Sequence, residues 1–75
     1  MELAQRIRQI REAYNLTQAK IAFKCGISPS AYGQIERKAS NCSYKTLEKV
    51  ANSIGVSVKF LIDIGNPAFV EKNNI

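Results

Sequence analysis

Residues 16–37, LTQAKIAFKCGISPSAYGQIER, constrain the fold more than any other part of the chain. They read as two short helices joined by a sharp turn. Thr17 precedes a helical pattern, where its hydroxyl can accept from the free N–H groups of a first turn. Ile21, Ala22 and Cys25 then recur at helical spacing as one apolar stripe. The small Ala22 lets a second helix cross closely. Gly26 stops the first helix, because glycine reaches the left-handed backbone region without a Cβ penalty. Ile27 turns inward, Ser28 caps the next helix, and Pro29 takes its first position, where a missing N–H costs nothing. Tyr32 and Ile35 continue the inward stripe. Ser30, Gly33, Gln34 and Arg37 fall off it and are expected to face outward. The second helix is thus predicted to have an apolar back and a small, polar front ending in Arg37 and Lys38.

The flanks of this stretch are helical as well. Leu3, Ile7, Ile10 and Tyr14 predict a helix over 2–14, with Arg6 and Arg8 on more exposed flanks and Asn15 at its end. Residues 39–42 read as a polar connection. Ser43 caps a helix that carries Leu47, Val50, Ala51 and Ile54 on one face, and Gly55 stops it. Ser57 caps a short fifth helix in which Phe60 and Leu61 close the core. No strand pattern of any length occurs. The reading is an all-α, compact five-helix domain over 1–62, followed by a tail over 63–75. Ile64, Phe69, Val70 and Ile75 give that tail apolar character.

Composition narrows the function. Seventy-five residues suit one domain with a small core. Eleven Lys and Arg oppose six Asp and Glu, so the net charge is +5, which favours nucleic acid or another acidic partner. The chain has no histidine, so histidine acid–base and metal chemistry are excluded. Cys25 reads as a small core residue and Cys42 as a free thiol in a connection; two cysteines at this spacing make no zinc pattern. No nucleophile–base set, phosphate loop or metal cluster is present, so no enzymatic activity, cofactor or small-molecule ligand is expected. No run is long enough to span a bilayer and no secretory leader is seen, so no membrane association and a cytoplasmic location are expected.

Two helices and a tight turn with an outward polar front are the layout of a helix-turn-helix DNA reader. The chain resembles the Xre/Cro-like helix-turn-helix family, the lambda-repressor type of phage regulators. The resemblance rests on Leu16-Thr17-Gln18, Ala22 and Gly26. It extends to the apolar positions Ile21, Cys25, Ile27, Tyr32 and Ile35, and to Ile35-Glu36-Arg37. It continues through Leu47-Glu48-Lys49-Val50-Ala51 and Ile54-Gly55-Val56-Ser57, and covers about residues 3–62. Lys20 stands where the family often has a capping-box glutamate, and Lys38 where a glycine often follows the second helix.

The resemblance implies a sequence-specific regulator of transcription, a repressor or autoregulator, that binds double-stranded DNA through a recognition helix at about 28–37. It implies that Arg11 meets Glu36 beneath the surface, against the alternative of two separate solvated charges. It also implies a twofold dimer whose recognition helices enter successive major grooves about 34–36 Å apart. Val58, Phe60, Ile64 and Phe69 are the candidate dimer contacts, unless the tail folds back over its own core.

Particular roles follow from DNA chemistry. Gln34 is the first candidate for base reading, because its amide can bond adenine at two points in the major groove. Ser30 is second, Pro29 can touch a thymine methyl, and Gly33 can allow close approach. Thr17, Gln18, Lys20 and Ser28, at the starts of the two helices, are candidate phosphate contacts. Arg37, Lys38, Ser40, Asn41 and Lys45 continue that set toward the duplex backbone. For each lysine a simply solvated position is the competing reading. A competing function is an antitoxin-like protein-interaction module, kept open by the apolar tail.

Overall fold

The computed structural model describes residues 3–63, except for the side chain of Ser40. These residues form α1 (Leu3–Ala13), α2 (Gln18–Cys25), α3 (Pro29–Arg37), a 3₁₀ turn (Ala39–Asn41), α4 (Tyr44–Ile54) and α5 (Val58–Ile62). No strand occurs among them. The candidate dimer contacts Ile64 and Phe69 lie outside the described residues.

Local chemistry sets the helix boundaries. Thr17, Ser28, Ser43 and Ser57 each hold extended backbone and accept, through the side-chain oxygen, the N–H three residues on. Each cap of this kind contributes about 1 kcal/mol. Gly55 ends α4 in the left-handed region, at φ 100°. Asn15 takes the same region after α1, at φ 59°, and is the only non-glycine among the described residues to do so.

The core gathers one stripe from each helix. Ile7 and Ile10 of α1 meet Ile21 and Ala22 of α2, Tyr32 of α3, Leu47, Val50, Ala51 and Ile54 of α4, and Leu61 of α5. Ile7, Ile10 and Ile21 are fully buried, and each such side chain contributes about 1.5–3 kcal/mol of transfer free energy. Leu3, Tyr14, Ile27, Ile35 and Phe60 are half-buried at the margin.

Two regions depart from the sequence reading. Arg6 is not on an exposed flank; it is fully buried. Its guanidinium lies 4.6 Å from the centroid of the Phe60 ring and donates to the Phe60 carbonyl at 2.6 Å. The Phe60 carbonyl, which also accepts the Asp63 N–H at 3.3 Å, lies in the last turn of α5, where the helix dipole favours a cation. Arg6 therefore ties α1 to α5. Residues 39–42 are also more than a polar connection. Ala39 is buried in the core, and the chain around it tightens into the 3₁₀ turn, with Cys42 donating its N–H to the Ala39 carbonyl.

Candidate nucleic-acid interface

The turn between α2 and α3 is fixed at both ends. Gly26 sits at φ 74°, and Ile27 donates its N–H back to the Ala22 carbonyl at 3.0 Å. This left-handed closure satisfies carbonyls that the end of α2 would otherwise leave open. Two residues later Ser28 Oγ accepts the Ala31 N–H at 3.0 Å, and Pro29 opens α3. Little freedom remains in the angle between the helices.

The back of α3 is held by a buried polar cluster. Arg11 Nε donates to Glu36 Oε2 at 2.6 Å, and Arg11 Nη1 donates to the Leu16 carbonyl at 2.8 Å. Gln18 Nε2 donates to Glu36 Oε1 at 3.0 Å. The Glu36 side chain is 2% exposed. Burial pushes its pKa up, but the hydrogen bonds from Arg11 and Gln18 outweigh that and hold the carboxyl below its ordinary range. Burial likewise opposes the charge on Arg11, and Glu36 more than compensates. Tyr32 lies fully buried in the same region; desolvation, then the neighbouring carboxylate, keeps its phenol protonated far above the usual range.

The front of α3 is open. Pro29, Ser30, Ala31, Gln34, Arg37 and Lys38 are exposed. Gly33 is a correction: it is buried, not part of the open front. A Cβ placed on it would meet only Arg37 Nη1, at 3.7 Å, so it is the Arg37 side chain that lies across the glycine. The helix period places Gly33 near the boundary of the stripe, and a long neighbour one turn on covers it.

The other candidates fall into groups. Thr17, Gln18 and Lys20 are exposed at the start of α2, with Thr17 Oγ1 occupied by the Lys20 N–H. Gln34, Lys38 and Asn41 come together on the rim of one groove. Lys45 is exposed in the first turn of α4. Ser40 lies in the 3₁₀ turn. Val58 and Phe60 are half-buried on α5, and Phe60 is already engaged by Arg6.

Sequence reasoning missed Ala31, whose exposed side chain shares that groove. Its position directly before Tyr32 hides it from any argument based on polar residues. It also missed that Cys25 is only half-buried, with its sulfur 3.0 Å from the Ser53 hydroxyl. In electrostatic terms the region is one-sided. From Thr17 to Asn41 the only acidic residue is Glu36, which is buried against Arg11. Lys20, Lys24, Arg37 and Lys38 are all exposed in that segment.

An open polar helix, braced from behind and preceded by a capped helix and a glycine turn, defines a helix-turn-helix protein. Comparison with known proteins agrees: residues 7–61 match the family model described as helix-turn-helix, and the chain belongs to that family. It is a DNA-binding regulator of transcription rather than an enzyme. It is 39% identical over 66 residues to the control protein C.BamHI of Bacillus amyloliquefaciens, covering 83% of this chain and 82% of that protein. It is 40% identical over 62 residues to the immunity repressor protein of Bacillus phage phi105, covering 83% of this chain but only 43% of the repressor. An uncharacterized HTH-type transcriptional regulator, YobD of Bacillus subtilis, is 35% identical over 72 residues, with 92% of this chain and 64% of that protein aligned. No solved structure gives a significant match. No helix among the described residues is long and apolar enough to cross a membrane.

Proposed function

We propose that this protein binds an operator in duplex DNA as a homodimer and regulates transcription by occupying it, as a repressor or autoregulator. The observation that carries the reading is the exposed cationic and amide-bearing front of α3, with no exposed acid between residues 17 and 41. Gln34 and Ser30 read base edges, and Pro29 makes apolar contact beside them. Arg37, Lys38, Ser40, Asn41 and Lys45 take phosphates on one side, and Thr17, Gln18, Lys20 and Ser28 on the other. Gln18 serves this role with the second N–H of its amide nitrogen, the first being donated to Glu36. Residues 1–62 are the DNA-binding unit, and the tail over 63–75 joins Val58 and Phe60 in the dimer contact.

The relatives named as a control protein and an immunity repressor support regulation by operator occupancy. Selection of bound fragments from a random DNA pool tests the proposal. Enriched fragments should carry two related half-sites one or more helical turns apart. A pool with no enrichment would remove the DNA reading. A second reading, a module that grips another protein, draws support from Phe23, which is 85% exposed on α2. It predicts that DNA affinity is weak and unselective even at low salt.

A further inference from the structure

Two neighbouring cavities between α2, α3 and α4 take no part in the DNA contacts proposed above. The narrower, about 130 Å³, is lined by Ile27, Ile35 and Val50 together with Cys25, Thr46 and Lys49. The wider and more open, about 310 Å³, is lined by Lys24, Cys25, Lys49, Asn52 and Ser53. Cys25 and Lys49 belong to both, so the cavities share a wall. The Ser53 hydroxyl donates to the Lys49 carbonyl at 2.8 Å and lies 3.0 Å from Cys25 Sγ, so hydroxyl and thiol are spent within the fold. Lys24 Nζ donates to the Ser53 carbonyl at 3.4 Å, which leaves further N–H groups of its ammonium free to bind. No acidic residue lines either cavity. The ion pairs among the described residues join Arg11 to Glu12 and Glu36 and leave both lysines out. Two uncompensated cations therefore stand beside an apolar cleft.

We infer that the joined cavities are a binding site for a small amphiphilic carboxylate, with its apolar body in the cleft and its anionic head at Lys24 and Lys49, and that its occupancy weakens DNA binding by wedging α3 away from α4. Three arguments support it. The first is size: an apolar cavity of about 150 Å³ lined by aliphatic side chains accepts a benzene ring, so this cleft suits one ring or a short alkyl chain. The second is charge: two ammonium groups and the Asn52 amide favour a carboxylate and reject an amine. The third is position. Ile27 belongs to the turn and Ile35 to α3, whereas Thr46 and Val50 belong to α4, so a body lodged between them acts on the seat of the recognition helix. The sequence predicts no ligand because the walls come from α2, the turn, α3 and α4, and no local motif marks a site assembled that way. The site stands apart from the operator reading, and its coupling to DNA rests on that reading.

The probe is 3-phenylpropanoate, titrated into isotope-labelled protein and followed by amide chemical shifts. Shifts should concentrate at Cys25, Ile27, Ile35, Thr46 and Lys49 and saturate with a dissociation constant of about 1 mM, in keeping with so small a ligand. The corresponding amide, 3-phenylpropanamide, keeps the ring and loses the charge; it should bind about fivefold more weakly, as should 3-phenylpropanoate to Lys49→Met. Acetate, which has no ring, should leave the cleft residues unshifted. Thr46→Met fills the cleft with its own side chain and should remove binding. On a DNA fragment enriched from the random pool, saturating 3-phenylpropanoate should lower affinity about fivefold relative to acetate at the same ionic strength. No saturable shift at the cleft residues overturns the site. Equal binding of the amide and the carboxylate overturns the assignment of the head group to the lysines. Unchanged DNA affinity at saturation overturns the coupling and leaves the site. A protein that binds the probe but enriches no DNA fragment loses the operator reading, and the coupling with it, but not the site. The analogue series on wild-type protein decides the site even where a variant does not fold.

Discussion

The two sides of α3 use polar chemistry in opposite ways. On the back, Glu36 is closed in by Arg11 and Gln18, with bonds at 2.6 and 3.0 Å. On the front, Ser30, Gln34, Arg37 and Lys38 face solvent within the same helix. The difference teaches where orientation comes from. A helix of nine residues, Pro29–Arg37, cannot hold its own angle by apolar packing alone, least of all with Ile35 only half-buried. The ion pair supplies a directional anchor across 25 residues of sequence, and it leaves the opposite side free to match an external lattice.

The comparison breaks most sharply at Glu36. Glu36→Ala leaves Arg11 buried without its anion, which should cost about 3–5 kcal/mol, a large part of the stability of a domain this size. Chemical denaturation measures the loss directly. Replacing both partners together, Arg11→Met with Glu36→Leu, should recover most of it, because a well-packed apolar pair often matches a buried ion pair. Stability recovered without DNA affinity would show that the pair serves orientation. The same carboxylate sets an acid limit. Its folded-state pKa lies below the unfolded value, so its contribution is present above the ordinary carboxylate range, about pH 4.3, and is lost as pH falls below that toward the folded value. Glu36→Gln should flatten the stability curve in that window, relative to wild type.

Front substitutions should change affinity and leave stability alone. Gln34→Ala should cost about 1–3 kcal/mol at one base-pair position and little elsewhere. Arg37→Ala should weaken every sequence alike and reduce the salt slope by about one. Binding titrations on matched and single-mismatch duplexes at two or more salt concentrations separate these outcomes. A uniform loss for Gln34→Ala would move that residue from base reading to backbone contact.

Much of the back was legible in the sequence and less of the front. Thr17, Ser28, Ser43 and Ser57 announce the helix starts because capping is local chemistry, and Gly26 and Gly55 announce the stops for the same reason. The apolar stripes place Ile7, Ile10, Ile21 and Val50 inside through period alone. The pairing of Arg11 with Glu36 was legible only through the family resemblance, since nothing in a sequence shows which two charges meet. Arg6 was misplaced because a polar residue beside Ile7 and Ile10 reads as a flank. Its partner is a backbone carbonyl on α5, and no residue type signals that. Gly33 and Ala31 exchanged roles for a related reason. Small residues at the edge of a stripe take their exposure from longer neighbours, here the Arg37 side chain, and rotamers of that kind are not written in the pattern.

Gly33 lies on the boundary between the two sides and gives the finest test. Inside a helix a glycine costs about 1 kcal/mol relative to alanine. Nothing in the fold requires it: its φ is not positive, and a Cβ would make ordinary contact with Arg37 Nη1 at 3.7 Å. Gly33→Ala should therefore raise stability by about 0.5–1 kcal/mol, seen as a melting temperature higher by several degrees. If the Arg37 side chain stays across position 33 when DNA docks, affinity should remain within about twofold of wild type, since the new methyl is hidden beneath it. A stabilised variant with sharply weaker operator binding would mean that Arg37 leaves position 33 to reach its phosphate and the duplex comes down onto the bare backbone. The border between back and front would then move on binding, and the polar front would extend one residue further round the helix than the free protein shows.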